Sequence, residues 1–195
     1  MLAVTFIAIY RQLRLQRSAA AIEQLNDIIH EWSSERLCRA KFNVLVALEA
    51  GTPAAGLPNR SVATVGFFWQ RVGFLVRGGH IDRELVYANL GDQAQVWWAL
   101  MFPGVSTAVG SKDPERWVDF GWFVGLAAAL DAKRGVDREL DPDSLRAAIP
   151  SMITHFREAI ELEEALRATT VRITPTPISV RGVRPERPDA VDAST

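Results

Sequence analysis

The chain has 195 residues, a mass of 21.6 kDa, 22 basic and 23 acidic residues, and a pI near 6.3. This length suits one domain. The charge is balanced, so the chain lacks the excess of basic residues that a dedicated nucleic-acid-binding protein carries. The chain has one cysteine, Cys38, which excludes an internal disulfide framework and a thiolate zinc site, because each of these needs several cysteines.

The N-terminal segment combines an apolar start with a basic flank. The first ten residues carry no charge, and Arg11, Arg14 and Arg17 follow them. Ten helical residues rise about 15 Å, which is half of the roughly 30 Å bilayer core. Residues 1–17 are therefore predicted to be the end of a membrane helix that begins upstream, with the arginines on the cytoplasmic side.

This interpretation makes the chain a single-pass cell-membrane protein with the lipid bilayer as a partner and a cytoplasmic helical domain. Two alternatives stay open for the apolar residues. They belong to a buried helix of a soluble fold, or to a signal peptide, which is disfavoured because its basic residues should precede the apolar run.

Residues 18–168 have the periodicity of amphipathic helices and predict an all-α bundle of about six or seven helices, beginning with a long N-terminal helix. Ser33 and Ser34 interrupt the first pattern, so we expect a cap and a kink there, and a second helix that ends at Gly51 and Pro53. The two apolar stripes are Ile22, Leu25, Ile29 and Trp32, then Leu37, Phe42, Val44, Leu45 and Leu48.

The next helix is expected to be central in the bundle. Ser61 is predicted to cap it, and Gly78 and Gly79 to end it. Gly66 and Gly73 lie on one side of this helix, where the missing side chains let another helix approach closely.

Two short helices are predicted to follow. Asp82 should cap the first, which Gly91 ends, and Asp92 should cap the second, which Pro103 ends. Short helices and tight turns are therefore expected to alternate in this part of the chain.

Two Asp-Pro pairs, Asp113–Pro114 and Asp141–Pro142, predict the starts of the last two helices. Gly135 is expected to end the first of them, and Pro150 to bend the second. Residues 169–195 contain four prolines and no aromatic residue, so they are predicted to form a disordered tail.

The sequence predicts no catalytic, cofactor-binding or metal site. His30, His80 and His155 stand outside the HExxH and Glu-x-x-His patterns of helical metal sites. The nearest approach is Asp27 with His30, which we interpret as surface polar residues because a bundle metal site draws ligands from several helices. Cys38, alone on a helix, is interpreted as core filler.

Trp97 and Trp98 are the candidate interface residues. Adjacent helical residues point about 100° apart, so one of the two is expected to reach a rim and to find a partner for its indole N–H. The alternative is that neighbouring helices shield both side chains.

The central part of the chain reads FFWQRVGFLVRGGHIDRELVYANLGDQAQVWWALMFPGV, followed by ERWVDFGWFVGLA. These segments resemble an uncharacterised bacterial domain-of-unknown-function family, with one N-terminal membrane helix, a basic juxtamembrane helix and a cytoplasmic all-helical domain. The resemblance covers about residues 9–130 and implies an architecture rather than an enzyme activity. The approximately matching residues are Phe68, Gly73, Leu75, Val76, Gly79, Ile81, Asp82, Trp98, Trp117 and Phe120.

These observations favour a membrane-anchored helical protein that acts as a non-catalytic binding or scaffolding module for an unknown protein partner. One alternative is a soluble helical enzyme with a scattered acid and histidine site. Another is a soluble homo-oligomeric bundle whose apolar first turns pack between subunits. The acid and histidine candidates are Asp27, His30, Glu31, Glu158 and Glu161.

Overall fold

The computed structural model describes residues 20–103, 117–137 and 140–173, and within these ranges the chain is all-α. This confirms the predicted fold class. The first two helices are separated at Ser33 and Ser34, and the long N-terminal helix is not seen in the described ranges. The helices are α1 (20–32), α2 (Glu35–Glu49), α3 (Asn59–Arg77), α4 (Arg83–Met101), α5 (Val118–Arg134) and α6 (Pro142–Ile173), with a 3-10 turn at Ala54–Gly56 between α2 and α3.

Several helix ends lie where local chemistry predicts them. The Asp82 side chain accepts a hydrogen bond from the Leu85 backbone N–H at 2.9 Å, and Asp141 accepts one from the Ser144 N–H at 2.9 Å. Gly135 ends α5 with a φ of 68°. These ends depend on neighbours within a few residues, which is why the sequence alone predicts them.

Three predicted boundaries are wrong. Gly91 does not end a helix and Asp92 does not cap one, because a single helix, α4, continues through both, and the Tyr87 ring packs where a Cβ of residue 91 would stand. Ser61 is not a cap, because α3 begins at Asn59, and Ser61 is buried inside the helix. At these positions the tertiary context overrides a local signal.

The last two helices differ from their predicted bounds. α5 begins at Val118, and the predicted Asp113–Pro114 start lies outside the described residues. α6 passes through Pro150 and continues to Ile173, so residues 169–173 of the predicted tail are helical. The rest of the tail lies outside the described part of the chain.

Two close approaches confirm that α3 is a packing centre. A Cβ on Gly73 would stand 2.0 Å from the Asp119 carbonyl oxygen, and a Cβ on Gly66 would stand 2.2 Å from the Trp117 ring. Only glycine at these positions lets α5 and the residue before it lie so close to α3, as the spacing of the two glycines predicts. The close contact between α3 and α5 therefore depends on Gly66 and Gly73, which have no side chains.

The prediction of a single-pass membrane protein with a cytoplasmic helical domain is wrong for the part of the chain that the structure describes. No helix there is both long and apolar enough to cross a bilayer. The 32 residues of α6 include acidic and basic side chains along their length, and the uncharged run in α5 is shorter than a span. The segment 1–17, with Arg11, Arg14 and Arg17, lies outside the described residues, as does its predicted bilayer contact.

Candidate functional site

A buried lysine lies in the apolar stripe of α2. Lys41 is only 2% exposed and follows Leu37 by one helical turn, with Val44 and Leu45 one turn further along. These three apolar neighbours are fully buried. Residues at this spacing share one face of a helix, so the fold that buries the stripe also buries the lysine.

The environment of the Lys41 ammonium is aromatic and weakly polar. Its Nζ donates a hydrogen bond to the Trp32 carbonyl oxygen at 2.7 Å and lies 3.9 Å from the centroid of the Trp32 ring. The Phe156 ring centroid is 4.6 Å away. Such cation–π contacts stabilise a cation without neutralising it.

Lys41 has no anionic partner in the described chain. No carboxylate there lies within 4.0 Å of its Nζ, although arginines of α2 and α6 form exposed ion pairs nearby, such as Arg167 with Glu163 at 3.1 Å. A buried charge is normally paired, because desolvation without a counter-ion is costly. The site therefore contains an uncompensated positive charge.

Burial lowers the pKa of Lys41 from 10.5 to about 8, because the desolvated ammonium is less stable than the neutral amine, while Cys38 has a smaller opposite effect. Burial also raises the pKa of the Cys38 thiol, which donates a weak hydrogen bond to the Ser33 carbonyl oxygen at 3.5 Å. Cys38 is free and buried, in agreement with its interpretation as core filler. Its raised pKa disfavours the reactive thiolate.

A cleft adjoins the lysine. Its volume is about 520 Å³, within the range of small-molecule sites, and it lies between the α1–α2 turn, α2, α4 and α6. The other titratable groups that line it are the Cys38 thiol and the His155 imidazole. The lining residues are Trp32, Ser33, Cys38, Lys41, Gln93, Ser151, Met152, His155, Phe156 and Ala159.

A larger cleft of about 720 Å³ lies between the start of α1 and the α3–α4 turn. It is lined by the exposed side chains His80, Asp82 and Arg83, among others. No charged side chain that lines it is buried, and the Asp82 carboxylate caps α4. The Lys41 cleft is therefore the stronger candidate for a specific ligand site.

The predicted interface residues are both buried. Trp97 is 0% exposed and Trp98 is 6% exposed, because α1, α5 and α6 supply aromatic neighbours such as Trp32, Phe120 and Phe156. The expectation that one of them reaches a rim is wrong, and the alternative of two shielded side chains is confirmed. The Trp97 Nε1 has no hydrogen-bond partner in the described chain.

The predicted acid and histidine candidates do not line the Lys41 cleft. Asp27 and His30 are exposed on α1, and Glu158 and Glu161 are exposed on α6. Glu31 forms ion pairs with Arg36 and Arg71. Within the described ranges no group of three His, Cys, Asp or Glu side chains is placed to hold a metal ion, and none of these candidates lines the cleft.

Lys41 is the site residue that the sequence reading missed. The signal was available, because Lys41 occupies a core-facing position of the stripe from Leu37 to Leu48. An ionisable residue on an apolar face is a site candidate, as a histidine there would be.

None of the family models, curated proteins and solved structures compared with the chain matches it significantly, so the resemblance to a bacterial family stays a prediction.

Proposed function

We propose that this protein is a binding module for a small organic carboxylate with an apolar body, and that the Lys41 cleft is its ligand site. The proposal rests on one observation: a buried ammonium beside a ligand-sized cleft has no carboxylate partner in the described chain. A carboxylate ligand supplies the missing negative charge. The ammonium then donates a charge-assisted hydrogen bond to the ligand, which offsets the cost of its burial.

The walls of the cleft favour an apolar ligand body. Trp32 and Phe156 flank the ammonium, and Met152 and Ala159 line the α6 side. Aromatic and thioether side chains contact aliphatic and aromatic groups without requiring a fixed polar geometry. A medium-chain or aromatic monocarboxylate therefore matches both the charge and the surface of the site.

The test compares two probes of equal length, hexanoate and 1-hexanol, by isothermal titration calorimetry with the full chain at pH 7. The carboxylate should bind about 10- to 100-fold more tightly, as expected for a charge-assisted hydrogen bond. Lys41→Met should remove this preference, whereas Lys133→Met should retain it, because Lys133 is exposed at the end of α5. Equal affinities for the two probes would contradict the proposal.

The pH dependence provides a second readout. The anion binds the protonated amine, so hexanoate affinity should stay nearly constant between about pH 6 and pH 7, where the carboxylate is ionised, and fall as the pH rises through the pKa of Lys41. The expected fall approaches tenfold per pH unit. Affinity for 1-hexanol should change little over the same range, since the alcohol does not depend on the charge.

A further inference from the structure

The type of cation in the cleft is informative. The chain has only three lysines, Lys41, Lys112 and Lys133, and 19 of its 22 basic residues are arginines. The exposed ion pairs between α2 and α6 use arginine, as in Arg39 with Glu164. Arginine cannot lose its proton in a protein, whereas lysine can. The basic residue in the cleft is therefore a lysine, which becomes a nucleophile when it loses its proton, and not an arginine.

We propose that the Lys41 amine is a covalent carbonyl site, which condenses reversibly with an aldehyde that enters the cleft to form an imine. This inference rests on the cleft being a ligand site, as proposed above. It goes further because it assigns Lys41 a bond-forming role and adds aldehydes to the ligand classes. The supporting geometry is that Lys41 lines a ligand-sized cleft, with its Nζ 3.9 Å from the Trp32 ring centroid and 4.6 Å from the Phe156 ring centroid.

Imine formation requires neither an oxidant nor a reductant. The neutral amine of Lys41 adds to the carbonyl carbon, the carbonyl π electrons move to oxygen, and a proton passes from nitrogen to oxygen to give a carbinolamine. Loss of the hydroxyl group with a second nitrogen proton, as water, leaves the C=N bond of the imine. An amine and an aldehyde thus give an imine and one molecule of water.

Burial provides the reactive form of the amine. With a pKa of about 8, roughly a fifth of the Lys41 side chains are neutral at pH 7.4, compared with about one in a thousand for an ordinary lysine. Ser151 and His155 line the same cleft and are able to exchange protons with a bound molecule. The intrinsic nucleophilicity of an amine falls with its pKa, so the rate advantage is smaller than the population ratio.

The test compares Lys41 with Lys133, so that one lysine of the chain serves as the control for the other. The full chain is incubated with benzaldehyde and sodium cyanoborohydride at pH 7.4, and the benzylated lysines are quantified by peptide mapping with mass spectrometry. Lys41 should be labelled at least about tenfold faster than Lys133, which is exposed. Cyanoborohydride reduces an imine but not a thiol adduct, so Cys38 does not contribute to the signal.

A parallel reaction in a denaturing concentration of urea tests whether the fold causes the preference. The preference should disappear in urea, because unfolding returns Lys41 to an ordinary pKa. Labelling of Lys41 no faster than Lys133 in the folded chain would overturn the inference. A preference that persists in urea would also overturn it, because the cause would then be local sequence.

The two proposals fail in different ways. Hexanoate that binds tightly without any preferential labelling of Lys41 would remove the imine and retain the carboxylate site. Preferential labelling of Lys41 without measurable hexanoate binding would support the imine and remove the carboxylate ligand. When both proposals are correct, hexanoate should protect Lys41 from benzaldehyde and leave Lys133 labelled at its usual rate.

Discussion

The α3–α5 and α2–α6 contacts are both extensive, and they are built in different ways. Between α3 and α5 the backbones approach closely at Gly66 and Gly73. The Gln70 side chain accepts hydrogen bonds from backbone N–H groups in the first turn of α5. Between α2 and α6 a cleft separates part of the surfaces, and a buried ammonium takes the place of an apolar side chain.

The two contacts are expected to contribute differently to stability and to the proposed ligand binding. Close packing with satisfied polar groups stabilises a bundle, whereas a cleft beside an unpaired buried charge destabilises it. Such a feature is typical of sites that bind or react rather than sites that only support the structure. The α3–α5 contact is therefore expected to act as the scaffold, and the α2–α6 contact as the site.

The largest effect is expected from Gly73→Ala. The added Cβ meets the Asp119 backbone carbonyl, which cannot move without displacing α5, so the variant should lose about 3 kcal/mol of unfolding free energy in urea denaturation. Gly66→Ala should lose less, because its Cβ meets the edge of the Trp117 side chain rather than a backbone atom. Equal stability of Gly73→Ala and the parent chain would contradict the close approach.

Lys41→Met should change the unfolding free energy in the opposite direction, toward greater stability. Since the pKa of Lys41 is lower in the folded chain than in the unfolded chain, the charged lysine opposes folding below about pH 8, and this cost disappears as the pH rises to 10.5. After loss of the Trp32 hydrogen bond and the cation–π contacts, the variant should gain about 2 kcal/mol at pH 7 and nothing at pH 10.5.

The measurement for this substitution is urea denaturation at pH 7 and pH 10.5, with Lys133→Met as the matched control. The control should stay within about 0.5 kcal/mol of the parent chain at both values, because Lys133 is exposed. A Lys41→Met variant that is destabilised at pH 7 would show that the lysine supports the fold, and would remove the contrast between the two contacts.

Gln70→Met should lose about 1 to 2 kcal/mol. The Gln70 Oε1 accepts hydrogen bonds from the Asp119 and Phe120 backbone N–H groups, each at 3.1 Å, and its Nε2 donates to the Asp119 Oδ2 at 2.9 Å. Methionine keeps the volume and leaves the first turn of α5 without these partners. Thermal denaturation measures the loss, and an unchanged midpoint would show that water replaces the glutamine.

The smallest effect is expected from Glu164→Gln. This change removes the ion pair with Arg39 across α2 and α6, but both side chains are about half exposed and screened by water. The thermal midpoint should stay within about 2 °C of the parent value. A larger loss would show that surface ion pairs, rather than apolar packing, join α2 to α6.

The sequence predicted those parts of the fold that local chemistry determines. The ends at Gly135 and Asp141 and the close approach at Gly73 follow from residues within a turn of one another or from the absence of a side chain. At Gly91 the local pattern indicates a helix end, whereas α4 continues through this glycine, next to the Tyr87 ring of the preceding turn.

The candidate site was harder to predict, because residues far apart in the chain assemble it. Trp32 belongs to the first apolar stripe, but nothing local shows that its ring and the Phe156 ring both lie next to the Lys41 ammonium. Whether Lys41 extends to solvent or stays buried depends on α6, more than a hundred residues away. Its position on the stripe of α2 was the only signal.

An NMR titration of the lysine side-chain amines, with isotope-labelled lysine, tests directly whether Lys41 is a buried ammonium that binds a carboxylate. Only three lysine signals are expected, and Lys41→Met identifies the one of interest. We expect a midpoint of about 8 for Lys41, which moves upward when hexanoate is added, whereas hexanoate should leave the Lys133 signal unchanged. A Lys41 midpoint near 10.5 that hexanoate leaves unchanged would contradict both the desolvated ammonium and the carboxylate site.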